Sequence, residues 1–233
     1  VFSRDHKCNS EVVFALLNDQ KEKITGGYYS YFYHPTNLIA AQYRNKPVPV
    51  SSTQWWCYSQ EFIDVLNKSK ADHNDSRVEC NLGEGAYGAS GQTLTWPNKF
   101  LGDMSKQPVI NDCDLLYYRY AYAVMMDAEL KYYKKDYAGA LASLNIIAKR
   151  AYGIEDFYKT ATRDAVLEAL VNEYFLEFPA EGVIWWPLIR LDKIWDYNDY
   201  LAANRNNTNI LLWPISKSAR DKNSNLTQTE GWN

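Results

Sequence analysis

The chain has 233 residues, 46% hydrophobic and 23% charged, enough to bury a substantial core as one large domain or two small ones. A formal net charge of −3 and a pI near 5.7 leave no basic face for nucleic acid, and no apolar run approaches the ~20 residues of a membrane span. Aromatic residues make up 15%, with 19 Tyr and 8 Trp, more than a core alone calls for. Their apolar faces and polar tips suit a recognition surface, although many will serve the core.

Residues 11–16, Glu-Val-Val-Phe-Ala-Leu, form a short apolar run expected to be a strand or buried extended segment. Residues 25–60 hold Gly26-Gly27, Pro35, Pro47 and Pro49 and show little period, so a long irregular loop with small hairpins is expected there. Loops of that length in a compact domain are usually functional. Two aromatic runs lie in it, Tyr28-Tyr29-Ser30-Tyr31-Phe32-Tyr33 and Trp55-Trp56-Cys57-Tyr58. Residues 61–70 read as a short helix, since Phe62, Ile63 and Leu66 share a face, and 72–107 as loop again.

From Asp112 the pattern is helical. A helix is expected over 113–134, with Leu116, Tyr120, Ala123, Met126, Leu130 and Tyr133 as its core stripe. Asp136 caps the next, 137–151, whose stripe is Tyr137, Leu141, Leu144, Ala148 and Ala151, with Gly153 as its stop. The link between them is so short that they must pair antiparallel. A third helix, 163–178, follows Thr162, carries Asp164 in its first turn, faces inward through Val166, Leu170 and Tyr174, and stops at Pro179. Helices of this length with short links suit either a bundle or a stack of tetratricopeptide-like hairpins. The last 23 residues, 211–233, are a short apolar run through Trp213-Pro214-Ile215 and then a polar tail, which on propensity alone is an extended piece followed by coil.

Motifs for chemistry are weak. Gly83-Glu84-Gly85-Ala86-Tyr87-Gly88 fits G-x-G-x-x-G, but the helix that must open within a dinucleotide site is missing from the pattern, so a flexible loop is the better reading. Asp72-His73-Asn74-Asp75 offers oxygen ligands for calcium but lacks a full EF-hand loop, and a solvated turn is favoured. His6, His34 and His73 have no metal spacing. Cys8, Cys57, Cys80 and Cys113 contain no Cys-x-x-Cys; three disulfide pairings are open, and so are isolated thiols. The Asn-x-Ser/Thr triplets at Asn67, Asn74, Asn206 and Asn225 are read as chance. No G-x-S-x-G occurs, and paired carboxylates of a glycosidase cannot be seen in sequence. No cofactor is expected.

The tail carries a more specific signal. Pro214-Ile215, Asn223, Leu226, Gln228 and Gly231-Trp232 closely resemble the closing signature of the SusD/RagB family, an apolar-Pro-Ile-Pro turn followed by Asn-Pro-x-Leu-x-Gln-Asn-Pro-Gly-aromatic; Ser216, Ser224, Thr229 and Glu230 depart from it. Residues 11–15 look like the family's Glu-Val-Ile-Phe-Ala run, Asp75-Ser76-Arg77 like its Asp-x-Arg element, and Lys99-Phe100 like its lysine-containing strand. Pro108-Val109-Ile110, Asp114, Arg119, Leu144-Asn145, Ile147 and Arg150-Ala151 also fall where the family has matching residues. Glu173, Glu177, Glu181-Gly182, Trp185 and Leu188 resemble its Glu-rich helix and Glu-Gly-x-Arg-Trp-x-Asp-Leu element, with Ile184 in place of the Arg and Pro187 in place of the Asp.

The resemblance implies a mainly α, SusD-like fold: tetratricopeptide-like hairpins, long irregular loops and small β-hairpins. It divides the chain into a loop-rich ligand-binding region (1–111), helical hairpins (112–190) and a closing segment (191–233). A sheet anywhere across 113–178 would end this assignment. Cys8 follows His6-Lys7 without the apolar run of a lipobox, so the chain is expected to be roughly the C-terminal half of a family member. The implied function is non-catalytic capture of an oligomeric nutrient, foremost a glycan oligosaccharide, by a lipid-anchored protein on the outer-membrane surface. Delivery would be to a TonB-dependent, SusC-like transporter. The other implied partner is the N-terminal half. Recognition is expected from Tyr28, Tyr29, Tyr31, Tyr33, Trp55, Trp56, Tyr58 and Trp96, of which at least two should be exposed on one concave surface. Peptide capture by the same fold, a glycoside hydrolase and a helical scaffold docking other proteins are the alternatives. Leu212, Ile215 and Leu226 are expected to pack against the domain.

Overall fold

A computed structural model describes residues 2, 6–19, 57–87, 92–100 and 113–232. The chain forms two compact units, 1–182 and 183–233. In the first unit the helices begin with α1, Gln60–His73, where the sequence calls for one. Ser59 caps its start by accepting the Phe62 N–H, and Asn74 closes it in the left-handed conformation at φ 52°. A single turn, α2 (Val78–Asn81), follows. Leu66 and Val78 meet Leu176 in one core cluster.

Residues expected as loop then form a β-hairpin, β2 (Gly83–Tyr87) antiparallel to β3 (Gln92–Trp96). Gly83–Tyr87 of the G-x-G-x-x-G run therefore form a strand, not the opening of a helix. Gly83 has a packing reason: a Cβ there would stand 2.3 Å from the Trp96 Nε1.

The helical layer is α3 (Tyr120–Tyr133), α4 (Tyr137–Tyr152) and α5 (Arg163–Glu177). Asp136 accepts from the Gly139 N–H to start α4, Gly153 ends it at φ 71°, and Thr162 accepts from the Ala165 N–H to start α5. Lys135 makes the tight link at φ 63°, and α3 and α4 pair antiparallel as expected. The inward stripes of α4 and α5 are buried as expected (Leu141, Leu144, Ala148 and Ala151; Val166, Leu170 and Tyr174), except that Tyr137 at the start of α4 is half-buried.

Two expectations for the first helix fail. Residues 115–119 form strand β4, antiparallel to β1 (Val12–Leu16), with Val12 opposite Arg119 and Leu16 opposite Leu115. The helix starts only at Tyr120, because Glu11 caps it from across the sheet. The Glu11 carbonyl accepts the Tyr120 N–H at 2.7 Å and its carboxylate the Ala121 N–H at 3.1 Å. The helix also presents the other face inward. Ala121, Tyr122, Val124, Met125, Ala128 and Glu129 are buried, whereas Tyr120, Ala123, Met126, Leu130 and Tyr133 of the expected core stripe are exposed; its first member, Leu116, is buried but on β4. Both faces of α3 are apolar, so period alone could not choose between them.

The second unit holds α6 (Trp185–Arg190), α7 (Asp199–Ala203) and α8 (Lys217–Lys222), with 3-10 turns at Ile194–Asp196 and Thr208–Leu211. Leu188, Leu191, Ile194, Trp195 and Leu201 are its buried apolar residues. The tail is held by side chains gripping main chain. Gln228 accepts the Ile215 N–H at 2.8 Å and donates to the Ile215 carbonyl at 3.3 Å. Thr229 Oγ1 donates to the Trp213 carbonyl and Trp232 Nε1 to the Leu212 carbonyl. The expected apolar anchoring is not found: Leu212 and Leu226 are 53% and 38% exposed, and Ile215 is half-buried. Here the polar residues of the motif hold the turn, and the leucines do not.

Candidate functional site

The most organised chemistry in the first unit is a buried ionic network. α5 carries Glu173 and Glu177 one turn apart on one face, and Glu181 stands one further turn-length along the chain. Four cations reach them from other segments. Arg77 forks onto Asp75 (Nε to Oδ1 2.9 Å, a terminal nitrogen to Oδ2 2.8 Å) and donates to Glu173 at 2.6 Å. Arg119, at the end of β4, grips Glu181 with two nitrogens at 2.7 and 3.0 Å and donates to Glu177 at 2.6 Å and Glu11 at 3.0 Å. Lys99 donates to Glu181 at 2.7 Å and to the Glu177 carbonyl at 3.1 Å. Arg150 of α4 bonds Glu177. Tyr152 and Tyr158 both donate to the second oxygen of Glu173, at 2.9 and 2.7 Å.

The electrostatics follow from the packing. Asp75 and Glu173 are wholly buried, and the side chains of Glu177, Glu181 and Arg119 are each 4% exposed. Burial pushes the Glu177 carboxyl up, but Arg119, Arg150 and Arg77 together bring it down to about 2. Burial lowers the Arg77 and Arg119 pKa values; the surrounding carboxylates outweigh it, Glu173 leading for Arg77 and Glu181 for Arg119, and hold both well above the usual range. Burial and Glu173 together raise the Tyr152 and Tyr158 hydroxyls. A carboxylate held ionised by three guanidinium groups is a poor proton donor, and these groups are saturated by one another. The network is therefore a clamp. It ties α1–α2, β4, α4 and α5 into one unit through charge-assisted bonds.

The family-like residues Asp75, Arg77, Lys99, Arg119, Arg150, Glu173, Glu177 and Glu181, scattered over 107 positions of sequence (75 to 181), are brought together here. Asp75 is engaged by Arg77 and by Ser69 at 2.8 Å, which removes it from any calcium loop. No group of three or more His, Cys, Asp or Glu suited to a metal occurs among the described residues.

The aromatic candidates are not assembled by the described residues. Tyr28, Tyr29, Tyr31, Tyr33, Trp55 and Trp56 lie outside them. Tyr58 is half-buried, edge-on to Phe62 with ring centroids 5.0 Å apart, against the Leu66 cluster. Trp96 is a correction: it is 1% exposed and donates through Nε1 to Asn98 at 3.0 Å, so neither ring face is open to a ligand. Sequence reasoning singled out neither Tyr152 nor Tyr158, and it placed Glu11 in a family-like strand without its role in the network. The place of Glu11 between Arg119 and the start of α3 depends on strand pairing across 108 residues, which no local pattern reports.

The SusD family model matches residues 28–232, almost the whole chain. The chain belongs to the SusD family. Strand β4 within 115–119 therefore does not count against membership, and the expectation that any sheet across 113–178 would do so was too strict.

Similar solved structures include a SusD superfamily protein from Bacteroides vulgatus ATCC 8482 (24% identity, TM-score 0.74, covering 100% of this chain and 55% of that one). NanU of B. fragilis is 23% identical with a TM-score of 0.71, covering 100% of this chain and 53% of its own. Surface glycan-binding protein A from B. thetaiotaomicron is 18% identical with a TM-score of 0.59, covering 98% and 54%. These likenesses are of fold. The chain spans about half the length of the solved relatives it matches, and no curated protein sequence matches it.

Proposed function

We propose that this SusD-family protein is a non-catalytic surface binder that captures an oligosaccharide and delivers it to a TonB-dependent, SusC-like transporter at the outer membrane. The observation that carries the reading is family membership, together with fold relatives named as surface glycan-binding proteins from B. thetaiotaomicron and B. uniformis. The loop-rich region 1–111 supplies recognition, with Tyr28, Tyr29, Tyr31, Tyr33, Trp55, Trp56 and Tyr58 as ring donors, and Trp96 left to the core. Aromatic faces stack on sugar rings while neighbouring Asn, Asp and Arg side chains fix orientation through hydrogen bonds. A lipid anchor holds the whole protein at the cell surface.

Isothermal titration against panels of glycans and peptides tests this. The expected outcome is saturable glycan binding without cleavage products. Binding of peptides alone moves the reading to peptide capture, released sugar makes the protein a glycosidase, and no binding of either class leaves a scaffold.

A further inference from the structure

The second unit carries a large ring that its own packing does not use. Trp213 is 80% exposed, the most open of the large apolar side chains among the described residues. It is also held in place. Pro214 biases the backbone of the residue before it toward extended conformations. The Trp213 carbonyl accepts the Thr229 hydroxyl at 3.1 Å, the Leu212 carbonyl accepts the Trp232 indole N–H at 2.7 Å, and Gln228 bonds both the N–H and the carbonyl of Ile215. Asn209 closes the turn before the ring. Its carbonyl accepts the Leu212 N–H at 3.0 Å, and its side chain lies against Gly231, where an added Cβ would stand 2.7 Å from the Asn209 Cβ. A frayed tail leaves rings exposed without fixing them; here four side-chain bonds fix the main chain on which the ring stands. A ring presented in this way has little freedom left to lose on binding.

The surroundings select the ligand. Residues 206–216 and 223–229 contain no charged side chain. They offer amides and hydroxyls instead, and the side chains of Asn206, Asn207, Asn209 and Asn225 make no hydrogen bond among the described residues. Trp232, 37% exposed, adds a second ring whose N–H is fixed at Leu212. An open indole face with uncharged amides at its edge matches the C–H face and hydroxyl rim of a neutral sugar. A carboxylated or sulfated ligand would find no counter-charge within these segments. An extended peptide would need free main-chain groups, and those of Leu212, Trp213 and Ile215 are engaged. Resting on the glycan-capture reading, we propose that Trp213 is a stacking site for a neutral sugar ring, additional to the ring candidates of 28–58, with Asn209 as its flanking amide.

Fluorine NMR on the chain as its gene encodes it, produced with 5-fluorotryptophan, tests this. Trp213→Phe identifies the Trp213 resonance. Neutral hexasaccharides of glucose, mannose and xylose are titrated in, with a galacturonic acid hexasaccharide as the charged counterpart. The expected result is a saturable shift of the Trp213 resonance with at least one neutral sugar and none with the acidic one. The same shift should appear when Trp55 and Trp56 are both replaced by Ala. In calorimetry on that double variant, adding Trp213→Ala should weaken the remaining sugar binding roughly threefold to tenfold, the scale of one lost ring contact. Sugar binding by the parent with a silent Trp213 resonance would overturn the proposal and leave glycan capture standing. Neither heat nor shift with any sugar would overturn both. A shift with the acidic sugar alone would overturn the neutral class, and a shift that disappears in the double variant would overturn the separate site. A Trp213 resonance displaced from that of a solvated indole and insensitive to every sugar would show the ring covered by protein, and would overturn the proposal as well.

Discussion

At the scale of single residues, Arg119 is the hub of the clamp. It reaches three carboxylates, lies over the Phe178 ring at 4.5 Å, and ends the strand that feeds α3. Replacing one partner of a buried pair costs more than the pair itself contributes, because a charge is left without compensation. Arg119→Met should destabilise the protein by roughly 3–5 kcal/mol in urea unfolding, since Glu177 and Glu181 would stay buried with fewer counter-charges. Glu177 sets a pH dependence. Its folded pKa of about 2 lies below the ordinary 4.5, so its contribution is complete above about 4.5 and is lost as pH falls toward 2. The acid limb of a stability–pH curve should therefore be steeper in that window for the parent than for Glu177→Gln, and equal slopes would show that Glu177 is not held ionised. Family-like spacing made most of these residues visible in the sequence. Their convergence was not visible, because Asp75, Arg119 and Glu181 meet only once strand and helix register are set.

At the scale of elements, helix periods at α4 and α5 read correctly because each has one apolar face and a capping residue before it. α3 is apolar on both faces, so the stripe found by spacing was the outward one. The same ambiguity hid β4, whose Leu-Leu-Tyr-Tyr run suits either element until Glu11 terminates the helix. Neighbouring methionines separate the two faces. Met125 is wholly buried and Met126 is half exposed. Met125→Ala should cost about 2–5 kcal/mol. Met126→Ala in isolated residues 1–233 should stay within about 0.5 kcal/mol, as surface changes do. Thermal melts of the two variants check the orientation directly. In the tail, Gln228→Ala removes both bonds to Ile215 and should loosen residues 212–215, read as faster amide exchange at Ile215. Here composition suggested coil, and the motif residues indicated order; side-chain grips on the main chain explain why the second reading prevails.

At the scale of the whole molecule, the clamp and the proposed ligand region occupy different parts of the first unit. The clamp spans α1–α2, β4, α4 and α5, while most ring candidates belong to 28–56, outside the described residues. Stability and recognition should therefore separate. Trp55→Ala or Trp56→Ala should weaken glycan binding at least tenfold, on the scale of a lost stacking contact, with a melting temperature unchanged within about 1–2 °C. Parent-like affinity in both would move recognition away from that run. Aromatic abundance is the sequence signal behind the proposed recognition region, but abundance says nothing of which ring faces a ligand, and Trp96 shows the cost of reading it residue by residue.

The four cysteines acquire a use from their placement. No disulfide forms among the described residues; Cys8 and Cys57 are exposed, Cys80 is half-buried with its thiol pushed up by burial, and Cys113 is buried with Phe100 and Leu116. A thiol reagent meets Cys8 and Cys57 at once, the half-buried Cys80 more slowly, and Cys113 only after the interior opens. Cys80 lies in α2 and Cys113 precedes β4, so their modification times the opening of two regions joined by the ionic clamp. In the parent Cys80 should react ahead of Cys113, which waits for global opening. With Arg119→Met, Cys113 modification should accelerate and the gap between the two should narrow. Such unequal ageing under oxidant would make the interior thiols a clock for how long the clamp holds.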